Sequence, residues 1–320
     1  MKIDFDRAVE NLKRHDNFLI ITHRNPDGDT VGGGFALCLA LCAMGKNARV
    51  INNDPFPEKF DFITRLQPQG QFEHQYIVSV DVADEKLFGD SLIPLYGGKA
   101  DLAVDHHATH REFAKETYVE PNSASACEVV FKIIKALGVK VDKSIADCLY
   151  TGISTDTGCF KFSSVSPSTH IAAAELIECG ADHAKIDEWM FDSKKLSYLR
   201  LEGKCLENMK LLHGGSVCIF VITREMAEQT GCDDSEFGGI VALSRQIEGV
   251  KIGVTLKERQ SGKTDVSLRT NEEYDSAYIC SLFGGGGHVR AAGCSFGCGV
   301  AEAEVQIVSA IDKIILGESI

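Results

Sequence analysis

Thr22-His23-Arg24-Asn25-Pro26-Asp27-Gly28-Asp29 follows directly on the apolar run Phe18-Leu19-Ile20-Ile21 and leads into Gly32-Gly33-Gly34-Phe35-Ala36-Leu37. A short apolar run bounded by turn residues reads as a buried strand. A strand that ends in a polar loop and passes into a helix is how open α/β sheets present ligand-binding groups at their carboxyl edge. Pro26 and Gly28 bend the backbone, so His23, Asp27 and Asp29 can converge where a straight strand would alternate them to opposite faces. Taken alone, Asn-Pro-Asp-Gly is an ordinary turn. What gives it weight is repetition.

The run Tyr76-Ile77-Val78-Ser79-Val80 ends at Asp81, with Asp84 three residues on, and the run from Ala100 to Val104 ends at Asp105-His106-His107. Three strands thus deliver acidic or imidazole groups to one edge, the pattern of a parallel, doubly wound α/β sheet. Helical spacing of apolar residues predicts helices over Phe5–His15, Val31–Met44, Ser123–Leu137 and around Ile145–Ile153, then Thr169–Cys179 and Ala184–Met190. Asp156 lies just past the fourth of these, in a loop of hydroxyl residues that could orient it or touch phosphate.

Carboxylates do not gather uncompensated: two like charges about 4 Å apart repel by roughly 4 kcal/mol at an effective dielectric of about 20. Divalent cations remove that problem. His23, Asp27, Asp29, Asp81, His106 and Asp156 offer two imidazoles and four carboxylates, enough for a dinuclear site in which Asp81 bridges. Nitrogen and oxygen ligation without thiolate favours two Mn²⁺, with Mg²⁺, Co²⁺ or Fe²⁺ as alternatives. Two ions about 3.5–4 Å apart suit phosphoester hydrolysis, activating water and clamping phosphoryl oxygens. Asp105 is expected to orient a ligating histidine, and His107 to contact the phosphate or protonate the leaving oxygen. Asp81, Asp105 and His107 are therefore the catalytic candidates.

At 320 residues the chain has room for two domains. We place a metal-binding domain at residues 1–191, a helical linker at 192–212 and a smaller α/β domain at 213–320. The second domain carries the chain's one Gly-rich loop, Phe283 to Gly293. Gly285, Gly286, Gly287 and His288 can approach a phosphate or base closely, and their N–H groups could form an anion nest at a helix start. Arg269 and Arg290 would add charge-assisted contacts. Residues 248–270 are locally basic and could form a phosphate-facing wall.

The net charge of −13 excludes long nucleic acid as a partner but not a short phosphate substrate in a cationic cleft. The amino terminus lacks a signal-peptide pattern, and no apolar run is long enough to span a bilayer, which points to the cytoplasm and away from membranes. Twelve scattered cysteines without a Cys-x-x-Cys pair read as buried free thiols.

In this order, His23-x-x-x-Asp27-Gly28-Asp29, Asp81 with Asp84, Asp105-His106-His107 and Thr155-Asp156-Thr157-Gly158 resemble the motifs of the DHH phosphoesterase family, and Ser267-Leu268-Arg269 with Gly284–Gly293 resembles that of the accompanying DHHA1 domain. Length and layout are closest to the NrnA-type nanoRNase/pAp phosphatase branch, related to the longer RecJ-type exonucleases. The resemblance implies Mn²⁺-dependent hydrolysis of oligonucleotides of two to five nucleotides to 5′-mononucleotides, conversion of 3′-phosphoadenosine 5′-phosphate (pAp) to AMP, and in some members cleavage of cyclic di-AMP or its linear product. It also implies His23, Asp27, Asp29, Asp81, His106 and Asp156 as ligands, with Arg269, Gly286, Gly287 and His288 touching substrate. The family usually has Ser at Gly33 and Asn at His110. Two other functions compete: a pyrophosphatase or exopolyphosphatase on a similar metal domain, and a non-catalytic nucleotide sensor. Action alone or as a homodimer stays open.

Overall fold

In the computed structural model, which describes residues 1–271 and 273–317, the chain forms two compact units, Met1–Ser193 and Lys194–Ile320. In chain order, the first comprises α1 (Phe5–Arg14), β1 (Phe18–Ile21), α2 (Gly28–Ala43), β2 (Ala48–Ile51), the single turn α3 (Asp61–Thr64), β3 (Tyr76–Val80), the turn α4 (Ile93–Tyr96), β4 (Leu102–Asp105), β5 (Glu116–Val119), α5 (Ala126–Leu137), α6 (Lys143–Asp156), α7 (Pro167–Glu178) and α8 (His183–Asp187).

Its five strands are all parallel, in the order β2-β1-β3-β4-β5. The order reverses between β1 and β3, the place where a doubly wound sheet opens a crevice at its carboxyl edge. Its central strands are buried on both faces, as parallel sheets require. Phe18, Ile20, Val78, Val80, Leu102 and Val104 point into the main core with α1, α2, α5 and α6, whereas Leu19, Ile21, Ile77 and Ala103 join a second, smaller cluster. That second face is covered by Val82, Phe88, Leu92 and α4, so the two layers are unequal.

Side-chain caps set the helix starts. Asp27 caps α2 by accepting from the N–H groups of Asp29 and Thr30, both at 3.1 Å. The helix therefore begins at Gly28, three residues before the expected Val31, and Asp29 sits in its first turn. Ser125 caps α5 through Glu128 N–H at 3.1 Å. Asp156 is the last residue of α6 and not part of the loop beyond it. Strand β5 has no counterpart among the expected elements because its four residues, Glu-Thr-Tyr-Val, show no apolar run.

The second unit contains α9 (Leu196–Glu207), β6 (Lys210–Leu212), β7 (Val217–Ile222), α10 (Arg224–Thr230), α11 (Gly238–Leu243), β8 (Ile252–Glu258), β9 (Thr264–Thr270), α12 (Ser276–Ser281), β10 (Gly286–His288), β11 (Ala291–Phe296) and α13 (Val300–Leu316). Its mixed sheet runs β10-β11-β9-β8-β7-β6, antiparallel except between β7 and β8. One face packs on α12 and α13, with Ile252, Val254, Leu268, Ile279 and Ile307 at its centre. On the other lie Cys218 and Phe220 with Tyr198, Leu201 and Cys205 of α9. The helix expected to serve as a connector thus contributes core residues to this unit. All twelve cysteines are free thiols, and among the described residues no helix is long and apolar enough to cross a membrane.

Candidate functional site

At the carboxyl edge of the first sheet, six side chains from several segments converge. His23 follows β1, Asp27 caps α2, Asp29 lies in its first turn, Asp81 follows β3, His106 follows β4 and Asp156 ends α6. They fall into two sets that could each hold an ion: His23 with Asp27 and Asp81, and Asp29 with His106 and Asp156. Asp81 faces both. Its Oδ2 lies 3.5 Å from His23 Nε2, and its Oδ1 lies 3.7 Å from His106 Nε2. His23 Nε2 is also 3.5 Å from Asp27, and His106 Nε2 is 3.8 Å from Asp29 and 3.6 Å from Asp156.

Local structure fixes these groups. Thr30 hydroxyl donates to the Val80 carbonyl at 3.2 Å and accepts from His23 N–H at 3.3 Å, tying the ends of β1 and β3 to α2. Asp81 adopts a left-handed backbone (φ 61°), and its N–H donates to the Val104 carbonyl at 3.0 Å. Asp29 accepts from Ala126 and Cys127 N–H at 2.6 and 2.9 Å, at the positive end of α5. Gly152 lets α6 come this close: a Cβ there would sit 2.1 Å from Cys127 Sγ and 2.8 Å from Asp29 Oδ1.

The donor set fits a metal. His23 Nδ1 donates to the Arg24 carbonyl at 2.8 Å and His106 Nδ1 to the Ser123 carbonyl at 3.1 Å. A carbonyl only accepts, so both rings carry the proton on Nδ1 and turn Nε2 toward the carboxylates, as ligating imidazoles do. Asp81 Oδ1 is buried without a hydrogen-bond partner, an expensive state unless something cationic faces it. Without a cation the carboxylates suffer: burial and the charge of Asp29 hold Asp81 well above its ordinary range, and burial with Asp29 and Asp27 pushes Asp156 up to about 8. Burial opposes charge on His23, but Asp27 and Asp81 outweigh it and raise that ring to about 11.

Asp105 differs from expectation. It holds His107, not a member of the two sets: its Oδ1 accepts from His107 Nδ1 at 2.8 Å and its Oδ2 from His110 Nδ1 at 2.6 Å. The His106 ring is oriented by the Ser123 carbonyl instead. Asp105 also accepts from His106 N–H at 2.8 Å. Its bond and charge raise His107 to about 9 despite burial. Asp84 stands apart, capping the turn Glu85–Phe88 and pairing with Arg111 at 3.1 Å. Gly33 is buried against Val80, where an added Cβ would meet Val80 Cγ1 at 3.0 Å. The Ser123 carbonyl and the amides of α5 are invisible in the sequence, since backbone groups carry no residue-type signal.

In the second unit the Gly-rich segment forms a hairpin and not a helix start. Gly286, Gly287 and His288 pair with Gly293, Ala292 and Ala291, making β10 an exposed edge strand. Gly285 approaches β11 so closely that a Cβ would meet the Gly293 carbonyl at 2.3 Å, whereas Gly286 has open space. Arg290 donates through Nη1 to the Asn271 carbonyl and, at 3.1 Å, to that of Tyr274, bracing the loop after β9. Arg269 donates to the Leu268 carbonyl at 2.9 Å and lines a cleft of about 140 Å³ with Ser244, Arg245, Lys251 and Asn271. The basic stretch is largely spoken for: Arg259 pairs with Asp234 and Asp265, and Lys251 with Glu273.

Comparison with known proteins fits this geometry. Residues 17–153 match the DHH family, N-terminal domain, and residues 214–316 the DHHA1 domain. The chain is 30% identical to the bifunctional oligoribonuclease and PAP phosphatase NrnA of Thermus thermophilus, over 91% of this chain and 88% of that protein. It is 25% identical to the cyclic-di-AMP phosphodiesterase PdeA of Listeria monocytogenes, over 97% of this chain but 49% of that protein. The crystal structure of an exopolyphosphatase-related protein from Bacteroides fragilis superposes with a TM-score of 0.87 at 26% identity, covering 96% of this chain and 95% of that one. With both domain matches in place and a relative at this identity along most of its length, the chain belongs to the DHH family, in its two-domain DHH/DHHA1, NrnA-type form.

Proposed function

We propose that the protein is a metal-dependent phosphoesterase that hydrolyses short oligoribonucleotides to 5′-mononucleotides, removes the 3′-phosphate of pAp, or both, with cyclic di-AMP or its linear product as further candidates. The observation that carries it is the pair of ligand sets with Asp81 between their two histidines, in a chain related to enzymes named for those substrates. His23, Asp27 and Asp81 would hold one divalent ion and Asp29, His106, Asp156 and Asp81 the other, with Mn²⁺ the first candidate. When bound, the ions supply an activated water and neutralise charge on the phosphoryl oxygens.

The chain's own groups do the rest. In this reading His107 gives a proton to the leaving oxygen or contacts the phosphate, a role supported by its partial exposure and its bond to Asp105. In the second unit Arg269, Gly285, Gly286, Gly287 and His288 form the nucleotide-holding surface, and Arg290 keeps the hairpin in place. A second reading, hydrolysis of a phosphoanhydride, is favoured by the likeness to the exopolyphosphatase-related protein of Bacteroides fragilis. The pairing of Arg224, Arg259 and Lys251 with Asp234, Asp265 and Glu273 weighs against it, since a compact polyanion needs a dense basic lining.

A single panel tests both. Purified protein with Mn²⁺ is incubated with a ribodinucleotide, a pentanucleotide, pAp, cyclic di-AMP, linear pApA and pyrophosphate, and products are resolved by chromatography. Mononucleotide or AMP release is expected. Phosphate release from pyrophosphate alone establishes the second reading, and binding without turnover makes the protein a nucleotide sensor.

A further inference from the structure

Asp105 is fully buried, and both of its oxygens are taken by imidazoles, His107 on Oδ1 and His110 on Oδ2. His107 Nδ1 lies 2.8 Å from Oδ1 and His110 Nδ1 2.6 Å from Oδ2, so each ring presents Nδ1–H to the carboxylate. His107 therefore turns its Nε2 away from Asp105. A side chain held by one hydrogen bond to a carboxylate is oriented only as well as that carboxylate is itself fixed.

His110 is what fixes the second oxygen. Its side chain is 3% exposed, against 38% for His107. Its ring packs on Phe113 with centroids 5.3 Å apart and planes inclined by 32°. The His110 N–H donates to the His107 carbonyl at 3.1 Å, and the next N–H, of Arg111, donates to the Ala83 carbonyl at 2.7 Å, so the turn after β4 is pinned to the loop after β3. His110 Nε2 is buried without a partner. The bond to Asp105 and the tilted contact with Phe113 therefore set its ring.

We propose that His110 is a positioning residue, clamping Asp105 so that Asp105 in turn fixes the rotation of His107. Its contribution to turnover rests on the role assigned to His107 above; its contribution to His107 geometry does not. Without a donor at position 110, Asp105 keeps a buried, unsatisfied oxygen and turns to find another partner, and His107 turns with it. Asparagine can supply the same donor from a similar reach, whereas leucine fills the space and supplies none.

The test uses the full-length, metal-free protein with ¹⁵N-labelled histidine, read by proton–nitrogen spectra of the imidazoles. His107 and His110 should each show an N–H resonance downfield of the amides. His110→Asn should remove only its own and keep that of His107, and His110→Leu should lose that of His107 as well. With Mn²⁺ and a ribodinucleotide, His110→Leu should lower kcat by roughly tenfold or more with little change in KM, and His110→Asn should recover most of it. A His107 resonance and kcat that survive His110→Leu would overturn the proposal, as would His110→Asn behaving like His110→Leu. Should His110→Leu fail to fold by circular dichroism, loss of the His107 resonance in His110→Asn overturns it alone. Absence of turnover in every form, with the spectra as expected, sinks the phosphoesterase reading and leaves the positioning role standing.

Discussion

The carboxyl edge of the first sheet and the β10–β11 hairpin of the second are the molecule's two candidate surfaces, and they are built by opposite means. The first concentrates charge in a buried place: Asp29 and Asp81 are 1% and 3% exposed, and two imidazoles face four carboxylates. The second presents backbone, with three glycines and an exposed histidine leading into and along an edge strand. The charged edge is held by strand ends, helix caps and amides that leave it little freedom to relax. The hairpin gains its closeness of approach from missing side chains. In the proposed function the first region holds the cations and the second meets the nucleotide.

The contrast is broken most severely at Asp81. Asp81→Asn keeps the size and tolerates the left-handed backbone, but removes the charge facing both ligand sets. Activity should fall by roughly a thousandfold, the scale seen when one preorganised electrostatic group is lost, while circular dichroism stays native. Near-normal turnover at saturating Mn²⁺ would show that Asp81 does not bridge.

Cation loading should matter next. With ligand at about 100 times its dissociation constant, Mn²⁺ would stabilise the fold by about 2.7 kcal/mol, read as a rise in melting temperature. Acidity should substitute for the ion in part. Asp29, Asp81 and Asp156 all bind their protons more tightly folded than unfolded. The folded state therefore carries more protons, and metal-free stability drops as pH climbs from the ordinary carboxylate range to about 8. His23 acts in the same direction: its stabilisation is present below its ordinary value and is lost as pH rises through about 11. Metal-free protein should melt higher at about pH 5 than at about pH 8, with Mn²⁺ shrinking the difference. A melting temperature indifferent to pH and Mn²⁺ would mean that the carboxylates are not in conflict.

How much of this is legible in the sequence follows the same division. His23, Asp27, Asp81 and His106 can be read because each ends or follows an apolar run, and a run of buried strand residues has a clear signature. Asp29 and Asp156 stand out as residues but not as parts of helices, because a helix cap and a helix end are decided by hydrogen bonds that composition shows only weakly. The pairing of Asp105 with His107 and His110 is hidden for a different reason. Which ring turns toward a carboxylate depends on the bend after β4, and three nearby histidines of one type give no clue. The glycine segment suggests a helix start yet forms a hairpin, since glycine serves hairpins and nests alike.

Within the hairpin, two neighbouring glycines sharpen the comparison. Gly285→Ala drives a methyl group to 2.3 Å from the Gly293 carbonyl, backbone that cannot swing aside, so a loss of about 1–3 kcal/mol is expected from overpacking. Gly286→Ala meets nothing within 4 Å and should leave the melting temperature nearly unchanged. Equal effects at both positions would mean that the close approach of Gly285 is not what shapes the hairpin.

His288→Ala should show a small energetic change and the clearest division of labour. His288 is exposed on the edge strand, so truncation leaves no cavity and the fold should be indifferent. If the ring contacts the nucleotide by a hydrogen bond, losing it costs about 0.5–1.5 kcal/mol of binding, seen as a rise in KM of roughly two- to tenfold with kcat held. The charged edge predicts the reverse signature, a fall in kcat at little change in KM. Should His288→Ala lower kcat and spare KM, the hairpin would belong to the chemistry and not to recognition, and the contrast between the two surfaces would collapse.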